Sequence, residues 1–449
     1  MDYKTIGLRV GLEIHQQLEG KKLFCSCPTE IIDAEPDLKI VRKLRAAAGE
    51  TGEVDEAAKQ EQMKEKRYMY HFYNKANCLV ELDEEPPHEV NREALEISLT
   101  VAKMLNTRIL DEILFMRKTV VDGSNVSGFQ RTALVAIDGF LEIDILDEHG
   151  KPKKKKIGVP TICLEEESAK IVEKTHEFDI YNLSRLGIPL AEIATDPDIS
   201  SPEEAKQCAE KIGMILRSTG KVKRGLGTIR QDVNVSIIGG NRVEIKGAQD
   251  LKMITTLVEY EVQRQQNILK LKGKLKCTIK CKTTSQKPSD AKLACMDDIF
   301  RQTKCNFMKK AVESKAPNAH GTIFGFKLDG LKGILGIELV PNKRIGTELS
   351  EYAKVKAGIT GIIHSDEHLE KYNFTEEEIS RVRQVLNIKE KDCFVMIVAD
   401  YNKCERAYYA ILERLNMMNN GVPKEVRMAN ADGTTSFLRP MPGAARMYP

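Results

Sequence analysis

Alternation dominates the start of the chain. In the run from Leu8 to Gln17, Leu8, Val10, Leu12 and Ile14 fall on one side of an extended strand. Arg9, Gly11, Glu13 and His15 fall on the other. A period of two with one apolar side suits a sheet that covers one face and leaves the other polar. Glu13 and His15 are two residues apart, so they sit roughly 7 Å from each other and point the same way.

The pattern recurs. In the segment from Thr161 to Glu167, Ile162 and Leu164 oppose Glu165 and Glu167. From Thr228 to Ser236, Ile229, Val233 and Val235 oppose Arg230, Asp232, Asn234 and Ser236. From Asn241 to Lys246, Val243 and Ile245 oppose Arg242, Glu244 and Lys246. An ordinary solvated sheet face carries mixed Lys, Thr, Ser and Gln. These faces carry acids, an Asn, a His and a few cations. Magnesium takes oxygen ligands and keeps several waters, and carboxylates plus phosphates supply those ligands. Arg and Lys beside them suit a transferring phosphoryl group.

The length of 449 residues predicts about two to four domains. The net charge of +3 gives no global basic field, so a nucleic-acid partner has to meet local patches. Lys151 to Lys156, at a hairpin tip, is one such patch, and Lys270 to Lys282 is another. Eleven scattered cysteines and no secretory segment fit reduced thiols in cytoplasm. No apolar run reaches the length of a membrane span.

Several chemistries are set aside. Cys25 and Cys27 form one close pair, and Cys277 and Cys281 another, but neither is matched by a second pair at zinc-ribbon spacing. Zinc is therefore not expected. No P-loop is present. The small-residue loop Gly123-Ser-Asn-Val-Ser-Gly128, containing Ser127, could cradle phosphate with its amides. No Ser/His/Asp or Cys/His nucleophile motif stands out, so an amide-hydrolysing centre is not expected.

Helix signals divide the chain. Ser201-Pro-Glu-Glu204 is a capping box with Pro at the first helical position, and its helix is expected to reach Gly220. A longer helix starts at Asp250. Gly187 and Pro189 predict that the segment carrying Arg185 and Glu192 is a bulged or edge strand. Composition shifts near residue 270, and a separate α+β unit follows from about 320. There Thr322 to Leu328, Gly333 to Leu339 and Cys393 to Ala399 read as strands, and Thr375 caps a helix. Val426 to Phe437 reads as further strand. The chain stops at Arg446-Met-Tyr-Pro449 with no closing helix, which reads as a piece of something longer.

Five ordered blocks resemble one family. Gly11-Leu-Glu-Ile-His-Gln-Gln-Leu with Leu23-Phe-Cys-Ser-Cys27 resembles the opening of the B/E subunits of Glu-tRNA(Gln) amidotransferase. Leu164 to Lys170, Ser184 to Glu192, Ile229 to Ser236 and Val243 to Lys246 are similar to later blocks. The resemblance covers about residues 5–265 and Arg439 to Pro449. The unit at roughly 320–415 resembles the insertion domain of bacterial-type aspartyl-tRNA synthetases, which marks the archaeal E branch.

The resemblance implies an α+β fold. Residues 1–275 would form a catalytic cradle built on antiparallel sheet. Residues 276–420 would be a linker and the inserted domain, and 421–449 a return to the cradle. It implies an ATP- and magnesium-dependent ligase that phosphorylates the γ-carboxylate of glutamate on mischarged tRNA(Gln). Ammonia from an asparaginase-like D subunit would then displace the phosphate, within an α2β2 heterotetramer in the cytoplasm and away from membranes. Glu13, His15, Glu165, Glu167, Asp232 and Glu244 would hold magnesium. Glu13, His15, Asp232, Arg230 and Lys246 would carry the catalysis. Arg185, Glu192, Ser127, Gly128 and Asn234 would meet the nucleotide. The bacterial pattern has His at Cys163 and Asp at Glu167, and carries a second cysteine pair. Competing expectations are a bacterial-type B subunit and a non-catalytic tRNA-binding cradle. The intact acids argue against the latter, since a binder would carry Lys and Arg there.

Overall fold

The computed structural model describes residues 1–44, 67–146, 149–175, 177–275, 293–314, 321–441 and 447–448. The chain forms two compact units. The first takes in Met1–Val235, Glu244–Val258 and Pro440–Pro449, and the second Ser236–Val243 and Glu259–Arg439. The chain thus passes between the units at 235/236, 243/244, 258/259 and 439/440.

The first unit is built on one large antiparallel sheet. Its strands are β1 (Arg9–Gln17), β2 (Phe115–Thr119), β3 (Phe129–Leu146), β4 (Pro152–Glu166), β5 (Pro189–Ala194), β6 (Ile229–Ser236) and β7 (Val243–Lys246). Their spatial order is β7-β6-β1-β5-β4-β3-β2, with the short strand Met447–Tyr448 beyond β2. The expected alternation holds. Val10, Leu12, Ile14, Ile162, Leu164 and Ile193 are buried. Helices α1 (Arg92–Met104) and α2 (Pro202–Ser218) pack against β1, β3 and β4. Helix α2 starts as its capping signal requires: Ser201 Oγ accepts from the Glu204 amide at 3.2 Å, with Pro202 at the first turn.

One strand expectation fails. β5 is central, between β1 and β4, and not an edge. Pro189 is its first residue, where the missing N–H costs no ladder bond, and Gly187 takes a φ of +81° in the turn just before. The turn chemistry is real, but it lies outside the strand.

The second unit holds a four-stranded sheet in the order Ala294–Cys295, Ile323–Leu328, Cys393–Val398, Ile363–His364. Its helices include α3 (Ile345–Ala357), α4 (Glu376–Val385) and α5 (Tyr401–Asn420). Thr375 and Glu378 form the expected capping box. The expected strand from Gly333 to Leu339 shrinks to Glu338–Val340. Gly333 takes a φ of +81°, and Asp366 Oδ2 accepts from the Leu335 amide at 3.0 Å, so the apolar run folds as turns.

Six buried charges cluster in this second unit. Arg264, Arg414 and Arg427 meet Glu261, Glu348 and Glu425. Arg427 reaches Glu348 with both terminal nitrogens, at 2.8 and 3.0 Å. Arg414 donates to Glu425 at 2.8 Å. Three guanidinium groups balance three carboxylates, which is the condition under which charges survive burial.

The Lys151–Lys156 patch is compensated in part. Lys154 pairs with Glu142, Lys155 with Glu204, and Lys156 lies over the Phe140 ring. Cys277, Cys281 and most of the Lys270–Lys282 patch fall outside the described residues. Among the described residues, no helix is long and apolar enough to cross a membrane.

Candidate functional site

Register assembles the polar face. His15 on β1 lies opposite Glu192 on β5, and Glu192 lies opposite Cys163 on β4. Glu165, two residues along β4, lies opposite Leu190 on β5 and Thr132 on β3. Directly opposed residues point to the same face and sit about 5 Å apart. Segments far apart in the chain therefore meet at one patch.

At its centre, Glu13, His15 and Glu192 bring one ligand atom each within 4.8 Å of one another. His15 Nε2 is 3.1 Å from Glu192, 3.4 Å from Glu13 and 3.9 Å from Glu165. Burial disfavours a charged imidazole. The Glu192 hydrogen bond and the surrounding carboxylates outweigh burial and raise His15 to about 9. Burial and then the Glu192 charge push Glu13 up to about 7. Glu192 resists burial through its bond to His15 and falls to about 2. Three carboxylates thus share one imidazolium. The donor set, rich in oxygen with one imidazole, fits a divalent cation, whose binding would displace the proton from His15. Glu13 and His15 stand where the alternation places them. Glu192 is expected at the nucleotide, and the structure brings it to this cluster instead.

The other acids are held by cations. Glu167 Oε1 accepts from Arg230 Nη2 at 2.9 Å, the second nitrogen of the guanidinium reaches Oε2, and Gln17 Nε2 donates at 3.0 Å. Burial raises the Glu167 carboxyl, but Arg230 and Arg185 overcome it and hold it low. Lys246 lies between Asp232 and Glu244, 2.8 Å from the latter. Expected metal ligands Glu167, Asp232 and Glu244 are therefore counterions of Arg230 and Lys246. Glu165 accepts from Gln130 at 3.1 Å and meets Lys118 at 3.4 Å. It remains 3.9 Å from His15, at the margin of the trio.

The expected nucleotide contacts disperse. Arg185 donates to the carbonyls of Ser168 and Ala169, both at 2.8 Å, so it braces the turn after β4. The Gly128 amide is used by the Asn125 carbonyl at 3.0 Å, and Gly128 takes a φ of +79°. Ser127 Oγ donates to the Phe129 carbonyl and lines a separate water-sized cavity of about 20 Å³ with Lys22, Glu81, Arg131 and Glu166. Two of the loop's amides, those of Ser124 and Gly128, are thus committed to Asp122 Oδ1 and the Asn125 carbonyl. Asn234 Oδ1 is buried without a hydrogen-bond partner among the described residues, beside Asp232 on β6.

Lys118 and Gln17 escape the sequence analysis. The alternation of Phe115–Thr119 places Met116 and Lys118 on one face, and that is the available signal. A further cluster joins Cys25, Cys27, Cys78 and Glu81, whose ligand atoms lie within 4.8 Å of one another. Cys25 Sγ is 2.9 Å from Glu81 Oε1. The sequence argues against zinc because it shows no second thiol pair. Cys78-Leu-Val-Glu81 supplies that half, with a carboxylate in place of a thiol, and three sulfurs with one oxygen suit a tetrahedral site.

Comparison with known proteins converges on one group. A family model described as the GatB/GatE catalytic domain matches residues 8–449. This chain belongs to the GatB/GatE catalytic domain family. Within that family it is 50% identical to the E subunit of glutamyl-tRNA(Gln) amidotransferase from Archaeoglobus fulgidus over 453 residues, covering this whole chain and 69% of the relative. The E subunits of Methanocaldococcus jannaschii and Saccharolobus solfataricus are 47% and 46% identical, again over the whole chain and 68% of each relative. The GatB/GatE match spans every strand that carries the cluster and its cations.

Proposed function

We propose that this chain is the amidating subunit of a Glu-tRNA(Gln) amidotransferase. It would convert glutamate on mischarged tRNA(Gln) to glutamine, working with an asparaginase-like subunit that supplies ammonia. Its relatives are named as the E subunit of that enzyme. The observation that carries the reading is the meeting of Glu13, His15 and Glu192 beside Lys118, Arg230 and Lys246 on one sheet face.

ATP and a divalent cation would supply the phosphoryl group and neutralise its charge. Glu13, His15 and Glu192 would hold the cation. Lys118, Arg230 and Lys246 sit among carboxylates that fix them, so they are pre-positioned donors for phosphoryl oxygens or for the glutamyl carboxylate. Arg185 acts indirectly by holding the turn that presents Glu167. The α+β second unit would be the inserted domain seen by resemblance. With the asparaginase-like subunit the chain would form an α2β2 assembly in cytoplasm, and the aminoacyl-tRNA would be its substrate.

The test is Glu-tRNA(Gln)-dependent ATP hydrolysis, with amidation from free ammonia. ATP turnover that requires glutamylated tRNA is expected. RNA binding with no such turnover would make the chain a non-catalytic binder.

A further inference from the structure

The loop that leads into β6 is built to hold a leucine in water. Three groups fix its base. Gln16 Nε2 donates to the carbonyls of Lys223 at 3.0 Å and Thr228 at 3.1 Å, closing both ends together. The Lys223 amide donates to Gln17 O, and the Gln17 amide to Thr228 O, each at 2.9 Å. Lys223 Nζ reaches the Thr29 carbonyl. Above this base, Thr228 Oγ1 donates to Gly225 O at 2.8 Å and closes the turn.

The tip is Arg224-Gly-Leu-Gly227. Gly225 and Gly227 take φ of +113° and +80°. A Cβ on either would meet nothing within 4 Å, so these glycines serve the backbone path and not a tight fit. Between them Leu226 is fully exposed, and Arg224 is exposed beside it. A lone surface leucine is ordinary. A leucine raised between two left-handed glycines on a pinned loop is a different case, because the backbone is already committed to presenting it.

Position names the occupant. Thr228 is two residues from Arg230, roughly 7 Å along the strand. On the reading above, the glutamyl group arrives attached to the terminal nucleotide of an RNA. Those unpaired nucleotides must therefore pass close to the start of β6. Single-stranded RNA is held by packing on splayed bases and ribose and by cations on its phosphates. One leucine beside one arginine fits that chemistry. A protein partner needs about 800 Å² per side, far more than this tip offers.

We propose that Arg224–Gly227 is a fixed finger for the unpaired 3′-terminal nucleotides of the substrate RNA. Leu226 packs on a base or ribose, and Arg224 meets a phosphate. The proposal rests on the amidotransferase reading.

The test uses the complete chain with two RNAs, tRNA(Gln) and the same tRNA with its unpaired 3′ end removed. The variants are Leu226→Ala and Arg224→Gln, whose exposed side chains leave the melting temperature unchanged. Wild type is expected to prefer the intact tRNA. Leu226→Ala is expected to bind it about tenfold more weakly, the loss for one aliphatic contact, and to bind the trimmed RNA as wild type does. Arg224→Gln is expected to lower the salt slope of binding by about one. Equal discrimination between the two RNAs in wild type and Leu226→Ala overturns the proposal. So does loss of the amidohydrolase partner with RNA discrimination intact, which would make the tip a protein contact. Wild type that binds neither RNA removes the finger, and the amidotransferase reading falls with it only if ATP turnover with glutamylated tRNA is absent too. Wild type that binds both equally removes only the finger.

Discussion

His15 and Glu192 are register partners on adjacent strands, with Nε2 and Oε2 3.1 Å apart though 177 positions separate them in the chain. This bond decides the charge of the cluster. It keeps the imidazole protonated against burial and keeps Glu192 ionised while Glu13 is pushed up. Glu192→Gln retains the shape and removes the charge. The change is expected to lower amidation by about a hundredfold, the scale of lost electrostatic stabilisation at an active site. The loss should be equal with glutamine or free ammonia, because it lies downstream of nitrogen supply. Turnover with both nitrogen sources checks this, and near-normal rates would detach the trio from the chemistry.

Asp232 pairs with Lys246, while Arg230, on the same strand face, pairs with Glu167. Asp232→Asn frees Lys246 to swing toward Glu244. Turnover is expected to fall by more than about tenfold if Lys246 is a positioned donor. Stability should fall by about 1–3 kcal/mol, because Asp232 is buried and its loss leaves Lys246 short of a counterion. Measuring both on one variant separates the roles. A large stability loss with normal turnover would make the pair structural.

Arg414 is fully buried between Glu348 and Glu425. Arg414→Met leaves those carboxylates short of a counterion and is expected to cost about 3–5 kcal/mol in urea unfolding. Adding Glu425→Leu restores the charge balance and should recover at least half of the loss. If the double variant is no better than the single, packing and not charge explains the site.

His364 gives the second unit a pH response. It is buried, and its Nδ1 accepts from the Asp366 amide at 3.3 Å. Burial lowers its pKa, Lys371 and Arg344 add to that, and Glu367 and Asp366 oppose it. A lowered histidine contributes stability that is complete above its ordinary value of 6.5 and is lost as pH falls through its folded value. Melting temperature is expected to drop from pH 7 to pH 5. His364→Asn offers an acceptor without titrating and should flatten that slope. An unchanged slope in the variant assigns the pH dependence elsewhere.

Much of the first unit is legible in the sequence because amphipathic strands advertise themselves. Glu13, His15 and Arg230 follow from alternation alone. Glu192 is visible as a residue but not as a member of the cluster, since only register puts it opposite His15. Pro189 misleads for the same reason: residue type shows a break, and only pairing shows whether it falls inside a strand. Lys118 and Gln17 lack any pattern beyond a short alternation. Cys78 and Glu81 meet Cys25 through folding, at a spacing no linear motif holds. Arg414, Arg427 and Glu348 are invisible because charge reads as surface until its partners are known.

The pairing of β1 with β5 also orders events during synthesis. β1 emerges first and must wait for Pro189–Ala194 before that edge can close. An unpaired strand edge with two apolar faces would be open to other chains in that interval. Glu13 and His15 give β1 one charged face for as long as it stands alone. Residues proposed for the chemistry at the end would thus keep the ribosome-bound chain in solution at the beginning.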